Sequence, residues 1–283
     1  MRTRLISLIA ALAAVLLLSP AASAYASERQ RQGGRGRGNA APEPPDTRPF
    51  DPHDLSGYWL KNTVRPREHP PLTPAGVEAM KGRIPDYQAR VPTDNNDPMY
   101  KCNPQGFPRL VWEENEPLEI LMLPDRVLQL FQWERTLREL WLDGRQLPSG
   151  ENLENLGPAW YGHSVAHWEE DTLVVMTTGV DERAWLDEYA NPKSFDAKFE
   201  ERYRRTSFDI IEGQLTINDP KNFTAPWVHP KSTFRRMRPQ DITFFGWKGL
   251  FSGVTDGICA PVNEIDDFNK RIRDPAVFGD TKK

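Results

Sequence analysis

Two histidines four residues apart, His163 and His167, and the adjacent pair Glu201-Arg202 are the residues of this chain whose types and spacing could do chemistry. An i, i+4 histidine pair shares one face of a helix and can grip a metal there. Their surroundings, WYGHSVAHW, read as a strand instead. At ~3.3 Å per residue the two rings stand ~13 Å apart, too far for one zinc ion at ~2.1 Å per ligand, so no metal site is expected. His163 alone offers an imidazole titrating near working pH, suited to general acid or base chemistry or to a structural hydrogen bond. Ser164 cannot pair with it as nucleophile, because strand neighbours point to opposite faces. No Gly-x-Ser-x-Gly elbow occurs either.

Glu201 and Arg202 alternate in the same way, so one of them points inward, where a charge must be paired or directed at a ligand. As catalysts, His163 and Glu201 would serve as acid and base, oriented by Arg138 or Arg202. As ligand contacts, Arg109, Arg138 and Arg202 would hold a carboxylate or hydroxyl, with Tyr161 and Trp168 beside them. Structural ion pairs are the plainer alternative for the same charges. The nine tryptophans could line a pocket or fill the ends of the fold. No cofactor is expected.

Strands must position these residues. Residues 119–123, 126–133, 137–142, 160–168, 172–178, 202–211, 214–218, 231–238 and 243–247 are short apolar runs of mostly period two, with turns about every ten residues. A first strand is expected around 54–59. Thr73 can cap a short helix with Pro74 in its first position, running to about residue 81. Residues 181–186 and 194–200 read as short helices. Between 83 and 109, Pro85, Pro92, Pro98, Pro104 and Pro108 deny regular pairing. The expected fold is all-β: an antiparallel meander closing into a lipocalin-like barrel of eight to ten strands, with long proline-rich loops and a few short helices. Such a barrel has room for side chains or one small ligand. A β-sandwich is the alternative.

Arg2 and Arg4, the apolar run 5–18, Pro20 and Ala22-Ser23-Ala24 make residues 1–24 a secretory signal, too short to span a membrane. The mature chain is therefore expected to be exported, periplasmic or extracellular. Residues 25–53, rich in glycine, arginine and proline, read as a disordered arm. Residues 54–283 form one body. The chain carries −4, and the body is more acidic still, which argues against nucleic acid as a partner. Nothing after residue 24 is apolar enough to cross a bilayer. The two cysteines, Cys102 and Cys259, are expected to form one disulfide in an oxidising compartment.

Several stretches resemble a family of exported bacterial proteins that carries no assigned reaction. They are Asp54-Leu55-Ser56-Gly57-Tyr58-Trp59, Pro70-Pro71-Leu72-Thr73-Pro74, Cys102-Asn103-Pro104-Gln105-Gly106-Phe107-Pro108-Arg109, Trp141-Leu142-Asp143-Gly144-Arg145, Gly162-His163-Ser164-Val165, Trp168-Glu169-Glu170-Asp171-Thr172-Leu173-Val174-Val175, Glu201-Arg202-Tyr203 and Asp219-Pro220. Glu170 stands where that family often has glycine, and Lys193 where it tends to have histidine. Gly57-Tyr58-Trp59 also looks like the first-strand Gly-x-Trp of lipocalins, whose fold implies a ligand cavity with the tryptophan plugging one end.

Three functions remain open from the sequence. The first is an exported barrel binding a small, largely apolar molecule. The second is a cofactor-independent lyase, isomerase or hydrolase using His163 and Glu201. The third is a protein-interaction module, which would have a filled barrel and its apolar patch outside.

Overall fold

The computed structural model describes residues 46–237, apart from positions 63, 65, 67–68, 89–93 and 115. Ten strands form one sheet: β1 (Gly57–Asn62), β2 (Leu118–Met122), β3 (Arg126–Phe131), β4 (Leu137–Trp141), β5 (His163–Glu169), β6 (Thr172–Thr178), β7 (Lys198–Arg205), β8 (Ile210–Asn218), β9 (Trp227–Val228) and β10 (Ser232–Arg236). Strands β1 to β8 pair in sequence order. β10 joins β1 to β8 and closes a nine-stranded barrel, while β9 pairs with β8 further along that long strand. The fold is the expected all-β barrel. Period-two patterning sets its faces: β3 and β7 alternate half-buried or exposed residues with buried ones along almost their whole lengths.

One step departs from an antiparallel meander. β4 and β5 run parallel, meeting at Trp141 and Val165. A parallel return needs a crossover of a dozen or more residues. Residues 142–162 supply it, so a long connection follows β4 where an antiparallel neighbour was expected. Among the described residues are three short α-helices: α1 (Pro74–Met80), α2 (Arg109–Trp112) and, within this crossover, α3 (Gly150–Leu156). In α1 the side chain of Thr73 accepts from the Gly76 N–H at 3.0 Å, as its sequence foretells. The helices expected at 181–186 and 194–200 do not form. Residues 181–197 are turns and extended loop, and 198–205 is strand β7, whose Phe199, Glu201 and Tyr203 face inward.

The interior is filled. Trp59, Trp112, Tyr203, Phe107, Phe131, Phe199 and Phe234 are all fully buried, each worth roughly 1.5–3 kcal/mol of transfer free energy or more. Phe107 comes from the irregular proline-rich segment and Trp112 from α2, which follows it. Phe107 meets Phe199 edge-on at 5.1 Å, and Trp112 stacks on Tyr203 at 5.7 Å. Gly213 on β8 makes room for this plug, since a Cβ there would lie 2.8 Å from Phe234 and 3.0 Å from Trp112. Trp59 of the Gly-x-Trp stretch is buried beneath the Arg236 guanidinium at 4.6 Å. Residues 46–53, read as the end of a disordered arm, lie on the barrel. Arg48 covers the Phe208 ring, and His53 packs edge-on against Trp168 while its Nε2 contacts the Glu170 carbonyl.

Candidate functional site

The inward register of β3 to β7 gathers Gln129, Arg138, Ser164, Thr177, Glu201 and Tyr203 behind the sheet. Arg138 Nη1 donates to Gln129 Oε1 and Glu201 Oε1, both at 3.1 Å. Its Nη2 donates to Ser164 Oγ at 3.2 Å, Thr177 Oγ1 at 2.9 Å and Glu201 Oε2 at 2.5 Å. Glu201 Oε1 also accepts from Trp112 Nε1 at 3.0 Å and Tyr203 Oη at 2.6 Å. Glu201 thus accepts four hydrogen bonds, three at Oε1 and one at Oε2. Burial, with Glu201 alongside, pushes the Tyr203 phenol well above its usual range, so it stays a donor. This is a charge-neutral, densely hydrogen-bonded cluster sealed behind the sheet. Within it, Arg138 Nε is buried without a hydrogen-bond partner.

His163 belongs to the opposite face of the sheet from Glu201. Its Nε2 lies 2.9 Å from the Gly157 carbonyl. The structure therefore does not bring the expected acid and base together. Arg202 also faces outward, paired with Glu169 at 2.5 Å and Glu200 at 3.3 Å. Arg109 is buried on α2 against Asp97 at 2.6 Å, and Trp168 packs on His53. His167 lies 3.3 Å from Glu169 on the outer face. Among the described residues no group of three His, Cys, Asp or Glu side chains is placed to hold a metal. Cys102 closes a short 3-10 turn with left-handed backbone. Cys259 lies outside the described residues, as does the strand expected at 243–247.

Two of the expected ligand contacts, Arg138 and Tyr161, do share a concave site. A cleft of about 500 Å³ lies at the β4–β5 seam, lined among others by Leu137, Trp141, Pro148, Leu156, Trp160 and His163. It exists because the seam is barely laddered. The crossover enters β5 through a tight turn in which the Gly162 N–H donates to the Ala159 carbonyl at 3.0 Å. Gly162 has φ +68°, and a Cβ there would lie 2.7 Å from Thr177 and 2.8 Å from the Thr178 carbonyl, so this close, left-handed turn demands glycine. Tyr161, just before it, reaches Thr136 at 3.2 Å. Burial raises the Tyr161 phenol above its usual range. The cleft mouth is apolar, with Leu137 and Leu156 more than half exposed at 53% and 59%. Arg145 stacks on Trp141 at 3.7 Å while pairing with Asp143.

A second polar cluster ties α2 to loop 181–194. Glu113 accepts from the Glu188 N–H at 3.0 Å, and Asp187 accepts from the backbone of Tyr189 and Asn191. Burial raises both carboxyls, and for Glu113 the charge of Asp187 adds to it. Lys193, where the resembled family tends to have histidine, is buried with its Nζ donating to the Phe107 carbonyl at 2.7 Å. Burial pulls its amine down to about 7.

Sequence reasoning missed Gln129, Thr177, Tyr203 and Trp112. Gln129 carried a usable signal: it is a polar residue in register with the inward Val127 and Phe131. Trp112 carried none, because its role depends on a loop folding back into the barrel. Compared with family models, with curated proteins and with solved structures, the chain matches none of them.

Proposed function

We propose that the protein is an exported barrel that binds a small, largely apolar ligand in the seam cleft and not in the barrel interior. The observation that carries this is the contrast between the two spaces. The interior is taken up by aromatic side chains and the Arg138–Glu201 cluster, whereas the cleft presents Leu137, Trp141, Leu156, Trp160 and Tyr161 around about 500 Å³, a volume typical of ligand sites. Exposed apolar side chains rimmed by polar groups mark binding sites more often than bare surface. Arg138 borders the cleft through its backbone, while its side chain points to the interior cluster behind the sheet. Export, and a Cys102–Cys259 bridge suited to an oxidising compartment, belong to the same proposal and rest on the signal at residues 1–24. A general acid–base role for Glu201 finds no support, since it is fully buried and lies across the sheet from His163.

The test uses Nile red, an uncharged apolar dye. Its fluorescence should rise on titration with the mature protein. Leu137→Glu and Leu156→Glu should each weaken binding about tenfold or more while the melting temperature stays put. Dye binding indifferent to both substitutions would sink the cleft as the site.

A further inference from the structure

We infer that the ligand of this cleft is an uncharged, extended peptide segment whose backbone pairs with the open edge of β4, an inference that rests on the cleft being the binding site. The phase of the β3–β4 ladder is fixed by two hydrogen bonds: Phe131 N–H to the Thr136 carbonyl and Leu142 N–H to the Asp125 carbonyl, both 2.8 Å. In an antiparallel pair, residues alternate between exchanging hydrogen bonds with their partner and turning their N–H and C=O outward. Thr136, Arg138, Leu140 and Leu142 therefore address β3. Leu137, Glu139 and Trp141 turn their backbone groups to the seam. Of these three only Trp141 has a ladder partner, Val165. In a continued parallel register Glu139 would face His163 and Leu137 would face Tyr161. Neither pair forms, because the turn at Gly162 carries the chain away. The result is a strand edge set inside an apolar cleft. A strand edge is completed by main-chain amides and carbonyls in alternation, which a peptide supplies and a hydrocarbon does not.

The charges in the cleft select the kind of peptide. Arg138 is neutralised by Glu201, Arg145 by Asp143, and Arg126 beside the rim by Asp125. A carboxylate brought in here would be a desolvated charge without a counter-charge, whereas a neutral main-chain carbonyl carries no such cost. The open stretch from Leu137 to Glu139 spans ~7 Å at ~3.3 Å per residue, so the paired segment is about three residues long. Its side chains on one parity meet Leu137, Trp141 and Val165, and these should be apolar.

The experiment titrates acetyl-Val-Ser-Val-Ser-Val-amide into the full mature chain and follows backbone amide NMR shifts. Two further peptides carry N-methyl groups on alternate residues, one set for each parity. The expected result is shifts centred on Leu137 and Glu139. One N-methylated peptide should bind about tenfold or more weaker, and the other within about twofold of the parent. Replacing the terminal amide by a carboxylate should bring no gain. An equal response to the two methylation patterns overturns the inference. So does the absence of peptide binding at ~1 mM while Nile red still occupies the cleft, and in that case the cleft stands as the site with a different ligand. If neither probe binds, the cleft itself fails as a binding site.

Discussion

The Nη2 atom of Arg138 on β4 lies 2.5 Å from Oε2 of Glu201 on β7, and on its way it also meets Ser164 of β5 and Thr177 of β6. One guanidinium thus reaches across the junction where the backbone ladder is nearly missing. The cluster holds the seam shut from inside while the cleft opens on the outside.

Removing one half of that pair leaves the other charge buried and unmatched. Glu201→Gln should lower stability by about 3–5 kcal/mol, and Arg138→Met by a similar amount. The double variant should lose less than the sum of the two, because neither charge is then orphaned. Urea unfolding at neutral pH measures all three. Additive losses would show that the pair does not act as a unit.

Lys61 is buried on β1, with its Nζ donating to the Leu110 carbonyl at 2.5 Å, and burial pulls its amine down to about 7. The unfolded lysine keeps its proton up to about 10.4. Between these values the unfolded state binds the extra proton, so stability rises with pH from about 7 to about 10.4 and is level below about 7, where both states are protonated. The rise is up to roughly 5 kcal/mol. Lys61→Met should flatten it by about half, since Lys193 titrates in the same range. Chemical denaturation at pH 7 and pH 10 decides the point, and a variant with the parental slope would contradict it.

His229 is buried beside Trp227, and burial lowers its imidazole to about 4. A free imidazole titrates near 6.5. Stability should therefore fall as pH drops from about 6.5 towards 4, because the unfolded state takes up the proton first. His229→Phe should remove part of this acid loss, measured as melting temperature at pH 4.5 against pH 7.

Gly162 shapes the turn that opens the seam. Gly162→Ala forces a side chain into positive φ and into Thr177 and the Thr178 carbonyl, and should cost about 2–4 kcal/mol. The same variant should weaken Nile red binding, since Tyr161 sits next to the displaced residue. Unaltered stability would mean that the turn is less crowded than described.

Reduction of the expected Cys102–Cys259 bridge would release a loop of roughly 160 residues, worth ~5 kcal/mol at most in the chain-entropy model. Thermal unfolding with and without a thiol reductant should differ by several degrees. Identical melting would remove the bridge from the account.

The barrel was legible because strand periodicity is a local property. Residues such as Val127, Gln129 and Phe131 declare their face without reference to any partner. Parity likewise placed Glu201 and Arg202 on opposite faces. What parity does not reveal is which strands become neighbours. The parallel β4–β5 step depends on the crossover 142–162, whose glycines and short helix look like ordinary loop. The cleft that follows from that step was invisible for the same reason. Arg138 and Tyr161 were found as isolated candidates, whereas Arg109, with its buried partner Asp97, was misread as an open grip because a loop–helix ion pair has no periodic signature.

The crossover also marks where the polypeptide can be divided. A break between Asp143 and Ser149 interrupts none of the barrel's antiparallel ladders. It leaves one fragment ending after β4 and another beginning before β5, and these meet again along β1–β10 and through the Arg138 cluster. Co-expressed halves would reassemble through these shared contacts, which offers a way to use this barrel as a two-part reporter with its cleft assembled at the join.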